Sequence, residues 1–209
     1  MTASPPALVL SCSPRAGGNS DFAADLAAGV LNAPVLRLRD HAVTACIGCG
    51  ACSAAAPRIT SLEPEEGKPY LGCPLSLKDD SAFLLSSLAR APFVLLTSPV
   101  YFYHLPAGFK ALIDRLQPFW ALREAGNIAL AALPARSCGV ILCAGRPKGE
   151  RLFEGSLLTL RWALGLLNLR LRDPLELRNV DDAKALARNP SVGESIQEYA
   201  AACKTSFAS

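Results

Sequence analysis

A chain of 209 residues is long enough to bury one sizeable core and short for two, so residues 1–209 are expected to form a single domain. The 21 lysines and arginines outweigh the 18 aspartates and glutamates by a formal +3, with no long basic run, which excludes a nucleic-acid backbone as partner. No cationic segment leads into a long apolar stretch at the N-terminus. The uncharged residues 91–109 are interrupted by Pro92, Pro99 and Pro106, so neither a secretory signal nor a membrane span is expected. The expected compartment is the cytoplasm, where thiols stay reduced, and the 8 cysteines are candidates for metal binding or packing rather than disulfides.

In chain order, apolar runs alternate with amphipathic stretches. Residues 7–12 read as a strand, 20–31 as a helix and 35–39 as a second strand, followed by a cysteine-rich loop insertion over about 46–73. Next come a helix over 77–89, a strand over 93–98, a helix over 107–122, a strand over 138–144 and a helix over 153–167. Residues 169–177 read as a fifth strand, which Pro174 places at a sheet edge or bulge, and 192–203 as the last helix. Parallel strands joined by right-handed crossover helices produce such alternation. The expected fold is therefore α/β: a doubly wound five-stranded parallel sheet of order 2-1-3-4-5 with helices on both faces. Asp79 and Asp80 fall in the first turn of a helix, where the dipole favours negative charge, and are read as structural.

The loop after the first strand, Ser-Cys-Ser-Pro-Arg-Ala-Gly-Gly-Asn-Ser-Asp, stands at the mouth of a helix, where free backbone N–H groups favour an anion. Ser11, Ser13 and Ser20 add hydroxyls, Asn19 an amide and Arg15 a guanidinium, while Gly17 and Gly18 allow close backbone approach. A phosphate suits that set; an ordinary capped turn is the plainer alternative. The loop matches neither the dinucleotide-fold nor the P-loop pattern.

This loop, the segment Thr97–Arg115 (T-S-P-V-Y-F-Y-H-L-P-A-G-F-K-A-L-I-D-R) and the later C-A-G-R-P-K-G-E together resemble the NADPH-dependent FMN reductase family of flavodoxin-like proteins. The resemblance implies that Ser11, Ser13, Arg15, Asn19 and Ser20 take the FMN phosphate. It places Pro99, Val100, Tyr101 and Phe102 along the isoalloxazine ring and ribityl chain, and Ala144, Gly145 and Arg146 at the far edge. Cys12 stands where the family usually has glycine and reads as a small buried residue. In a sheet of this order, strands 1 and 3 adjoin at the switch point, and ligands bind beyond their carboxyl ends, where the two strongest motifs lie.

Cys46, Cys49 and Cys52 form a C-x-x-C-x-x-C run with Gly48 and Gly50 between them, and Cys73 follows in Gly-Cys-Pro. That spacing turns successive thiolates toward one centre and suits a 4Fe-4S cluster. Four-thiolate zinc and an empty site are the alternatives. The run also resembles the cysteine motif of iron–sulfur flavoproteins, a branch of the same group, in which the fourth cysteine follows much sooner. Cys138, Cys143 and Cys203 read as packing residues.

With only His41 and His104 present, neither in a matching motif, nucleophilic triads find no support. His104 reads as a loop-to-helix residue or as a hydrogen-bond donor to flavin or substrate, and Asp114 and Arg115 as organisers of loops or surface pairs. The expected function is an FMN-dependent oxidoreductase passing electrons from NAD(P)H, or from a reduced partner, to a small acceptor. A non-enzymatic electron carrier working with redox proteins such as ferredoxin, and a zinc-binding or metal-free flavodoxin-like protein, are the alternatives. The family and the 51% apolar content, with Phe119 and Trp120 on one helix, suggest a homodimer.

Overall fold

The computed structural model describes residues 7–205. β1 (Leu8–Ser11), β2 (Val35–Arg37), β3 (Val94–Pro99) and β4 (Arg136–Cys143) form the parallel frame. β5 (Leu169–Leu171) and β6 (Leu175–Leu177) both pair with β4, giving the order β2-β1-β3-β4-β5 with β6 beside β4. The helices are α1 (Asn19–Leu31), α2 (Ala51–Ala55), α3 (Ser81–Arg90), α4 (Ala107–Asp114), α5 (Gln117–Glu124), α6 (Ile128–Ala131), α7 (Glu154–Gly165) and α8 (Pro190–Thr205).

The inner strands are largely apolar and buried, with helices covering both faces, and alternate residues serve opposite cores. Leu8, Leu10, Val94, Leu96 and Val140 join the cluster formed with α3, α4, α5 and α7. Val9, Phe93, Leu95 and Ile141 face the alanines of α1 and the Ile196 and Ala200 positions of α8. Register is continuous across the sheet: Leu10 lies opposite Leu36 on one side and Leu96 on the other, and Leu96 opposite Val140.

Three elements differ from the sequence reading, each for a local reason. The fifth strand is two segments, so the described residues form six strands rather than five: Pro174 has no N–H to donate, and the ladder lapses between Leu171 and Leu175. The helix read over 107–122 breaks at Arg115 and Leu116. Pro118 sits in the first turn of α5 and cannot continue an α-helical hydrogen-bond ladder from α4. The helix read from 77 begins at Ser81, because Pro74–Leu77 forms a separate 3-10 turn.

The cysteine-rich insertion is not a bare loop. It contains α2 and 3-10 turns at Ala56–Arg58 and Tyr70–Gly72. Tyr70 is buried edge-on to Phe119, and its hydroxyl donates to the Leu62 carbonyl at 3.1 Å. Asn127 Nδ2 donates to the Ile59 carbonyl at 2.7 Å, while its Oδ1 accepts the Ala129 N–H and caps α6. Among the described residues no helix is long and apolar enough to cross a membrane.

Candidate functional site

The loop between β1 and α1 is organised by a residue that the sequence reading did not single out. Asp21 is buried; it accepts the Ser11 hydroxyl at 2.6 Å, the Gly17 N–H at 2.8 Å and Arg39 Nη1 at 2.9 Å. Burial pushes its carboxyl up, but these donors outweigh burial and hold it below the usual carboxylate range. The available signal was an acidic residue in the first turn of a helix.

The predicted phosphate residues divide by how their side chains are used. Ser11 is committed to Asp21, and Ser20 hydrogen-bonds the Cys143 thiol. Ser13 Oγ donates to the Arg15 carbonyl at 2.9 Å and accepts the Arg15 N–H at 3.2 Å. Asn19 Nδ2 donates to the carbonyls of Val180 and Asp182 at 2.8 and 2.7 Å, and its Oδ1 accepts the Leu186 N–H at 3.1 Å. Asn19 thus straps residues 180–186 beside the loop, which leaves its backbone N–H as its means of holding an anion. Arg15 is exposed and folds beside Gly18. Among the described residues no side chain caps the first turn of α1, and the space above Gly17, at φ 64°, is open. An exposed guanidinium beside an uncapped helix start fits a phosphate. Cys12 is buried, as its sequence position implied.

Beyond β3, Tyr101 and His104 exchange backbone hydrogen bonds of 2.8 and 2.9 Å, closing a two-residue turn. Its central residues, Phe102 and Tyr103, have φ of 50° and 64°, the left-handed pair of a type I′ turn, with no glycine to ease it. Such strain costs about 1–3 kcal/mol per residue and persists only where the surroundings enforce it. Arg146 Nη1 donates to the Tyr103 hydroxyl at 3.1 Å, and His104 Nε2 lies 3.0 Å from Thr159 Oγ1 on α7. The outcome is a Phe102 ring projecting wholly into solvent beside a cleft.

That cleft has a volume of about 560 Å³, and Val100, Phe102, Ala144, Gly145, Arg146 and Asp181 contribute to its walls. The structure therefore brings together five of the seven residues assigned to the flavin ring and far edge; Pro99 and Tyr101 adjoin them in the chain. Asp181 was not anticipated. It approaches because residue 145 is glycine: a Cβ there would lie 2.7 Å from Asp181 Oδ1. An apolar wall of Val100 and Phe102 facing a guanidinium suits a flat, polar-edged ring.

Cys46, Cys49, Cys52 and Cys73 line a second cavity of about 460 Å³, closed on one side by Arg115. The return of Cys73 across the long insertion depends on Gly72. At φ 78°, this residue packs so closely on α2 that a Cβ would fall 2.2 Å from that of Ala55. Burial pushes the Cys52 thiol up, and the neighbouring Cys73 and Cys46 add to it. Among the described residues no three His, Cys, Asp or Glu side chains converge as a preformed metal site. Tetrahedral zinc needs all its sulfurs about 2.3 Å from one centre, whereas a cluster whose irons each take one thiolate spreads them around a larger body. A cavity lined by four cysteines offers the four thiolate donors that either group uses. Cys138, Cys143 and Cys203 are buried, and burial pushes each thiol up.

The family profile for NADPH-dependent FMN reductase matches residues 5–140. The chain belongs to the NADPH-dependent FMN reductase family. An iron–sulfur flavoprotein of Methanocaldococcus jannaschii, MJ1083, is 32% identical over 141 residues, a match spanning 62% of this chain and 63% of that relative's length. Solved folds agree. A WrbA-like flavodoxin from Agrobacterium tumefaciens superposes with a TM-score of 0.56 at 13% identity, covering 98% of each chain. An FMN-dependent NADH-azoreductase from Bacillus anthracis, determined in complex with FMN, gives 0.56 at 14% identity, covering 95% of this chain and 99% of the other. At these identities the likeness establishes the flavodoxin-like fold.

Within this reductase-family fold, α4 links the two cavities. It starts just past the Phe102 turn, and its 8 residues, about 12 Å of helix, end at Asp114, which lines the cysteine cavity beside Arg115.

Proposed function

We propose that this chain is an FMN-dependent oxidoreductase carrying electrons from NAD(P)H, or from a reduced partner, to an acceptor, with a 4Fe-4S cluster on Cys46, Cys49, Cys52 and Cys73. The observation that carries the reading is the pairing of a cleft beyond β3 and β4 with a four-cysteine cavity at the far end of the helix that leaves that cleft. Bound FMN would supply two-electron chemistry with a nicotinamide and one-electron chemistry with a cluster. The protein's part is to hold and tune. The start of α1 and Arg15 would bind the phosphate, Val100 and Phe102 would cover the ring, and Arg146 would place a positive charge at its edge. Cys46, Cys49 and, on α2, Cys52 from the C-x-x-C-x-x-C run, with Cys73 brought back by Gly72, would keep the thiolates on one cavity.

The family membership supports the reductase; the cysteine cavity favours a second reading, a one-electron carrier serving redox proteins such as ferredoxin. A small-molecule acceptor fits the first and a protein acceptor the second. Anaerobic purification with iron, sulfide, zinc and FMN assays, followed by NADH and NADPH oxidation, separates them. About four irons and four sulfides per chain with pyridine-nucleotide oxidation supports the reductase; the same cluster without oxidation supports the carrier. Flavin without metal under strict anaerobiosis rejects the cluster.

The proposed assembly is a homodimer. Phe119 is fully buried in the core and is not available to a partner, but Trp120, Leu158 and Trp162 are exposed along a groove between α5 and α7. Sedimentation showing a monomer at micromolar concentration would refute the dimer.

A further inference from the structure

Arg115 is 2% exposed, a degree of burial rare for an arginine. It lies at the break between α4 and α5 and faces the cysteine segment. Nη1 donates to the Thr44 carbonyl at 2.9 Å and to Asp79 Oδ2 at 2.5 Å; Nη2 donates to Ser81 Oγ at 2.7 Å and to Cys73 Sγ at 3.4 Å. Nε is buried without a hydrogen-bond partner among the described residues. Asp79 in turn accepts the Thr44 N–H at 2.9 Å and the Ser81 hydroxyl at 2.7 Å.

One planar group thus ties together the chain just before Cys46, the fourth cysteine, and the segment after it. A buried ion pair adds little stability over a well-packed apolar pair of similar volume, so stability alone does not explain it. What an apolar pair could not supply is an N–H aimed at a sulfur from a rigid fork. Hydrogen bonds to ligand sulfurs and local net charge are among the quantities that set an iron–sulfur potential.

Building on the proposed cluster, we infer that Arg115 is the positioning residue of the cysteine site: its Nη2–H fixes Cys73 as the fourth thiolate and raises the reduction potential of the cluster held there. Asp79 acts in the opposite sense, as the counter-charge that restrains this effect. The other charged group lining the cavity, Asp114, is half exposed and paired with Lys110 at 2.5 Å.

The test compares anaerobically purified wild type, Arg115→Lys and Asp79→Asn by iron, sulfide and FMN content and by EPR-monitored redox titration. Arg115→Lys keeps the charge and loses the fork. It is expected to lower the cluster midpoint while the FMN midpoint stays in place. Asp79→Asn is expected to raise it, an opposition in sign that a purely structural clamp would not produce. Should Arg115→Lys lose its iron while retaining FMN, the Asp79→Asn shift decides: a rise supports the inference and no rise overturns it. Equal midpoints in Arg115→Lys and wild type overturn it, as does loss of FMN together with iron in both variants. A wild type without iron under strict anaerobiosis defeats the cluster itself, and this inference with it, a result distinguishable from a loaded cluster indifferent to Arg115.

Discussion

Gly72 and Ala55 touch so closely that residue 72 has no room for a side chain: its Cβ would stand 2.2 Å from the Ala55 methyl. Gly72→Ala also meets a φ of 78°, which costs a side-chain-bearing residue about 1–2 kcal/mol before any clash. Overpacking adds about 1–3 kcal/mol. The expected result is a Tm lower by about 5 °C or more together with reduced iron loading, read by calorimetry and metal assay. An unchanged melt would show that the insertion relaxes freely.

Arg15 and Asn19 should fail in different ways. Arg15→Ala removes an exposed guanidinium and is expected to weaken FMN binding about tenfold, equivalent to roughly 1.4 kcal/mol, without changing stability. Asn19→Ala frees the strap at Val180, Asp182 and Leu186, and should increase proteolysis within residues 180–188 even in FMN-free protein. Flavin-fluorescence titration and limited proteolysis make the comparison; identical behaviour of the two variants would contradict the division of roles.

Phe102→Gly tests the turn beside the cleft. Glycine accepts the left-handed conformation, so the hairpin should survive with equal or slightly higher stability. The loss of the exposed ring should weaken FMN binding several-fold and shift the visible flavin spectrum. Unaltered affinity would mean that the ring does not cover the flavin.

Asp21 sets a pH dependence. Its folded carboxyl lies below its unfolded value, so it contributes stability that is fully present above about pH 4 and is lost as pH falls through the folded value. Asp21→Asn should therefore be less stable than wild type at neutral pH, with the gap closing in acid. A gap independent of pH would place the stabilisation elsewhere.

The strands and most helices were legible because apolar runs and 3.6-residue patterning are local properties. Val9, Leu95 and Ile141 are core residues of strands read directly from such runs. Pro118 was visible too, and its missing N–H accounts for the break at Arg115 and Leu116 that the reading of one continuous helix ran through. Within the candidate site, Phe102 and Arg146 were suggested by the family resemblance, and the four cysteines by motif spacing. Neither found Asp21, Asp79 or Asp181, whose roles arise from contacts across 10 to 36 residues of chain: Ser11 to Asp21, Asp79 to Arg115, and Gly145 to Asp181. Nor could either show that Asn19 spends its amide on residues more than 160 positions away.

The helix that joins the two cavities also makes their alignment a matter of phase. Each residue of α4 advances the chain by about 1.5 Å and turns it by about 100°. Inserting a single alanine within Ala107–Asp114 would leave every side chain of both sites intact, yet would swing Arg115 a quarter-turn off Thr44, Asp79 and Cys73. The spacing between the Pro-Val-Tyr-Phe segment and the Asp-Arg pair is then as much a part of the site as its side chains, and deletions or insertions there should be tolerated far less than in the exposed segment around Gly67.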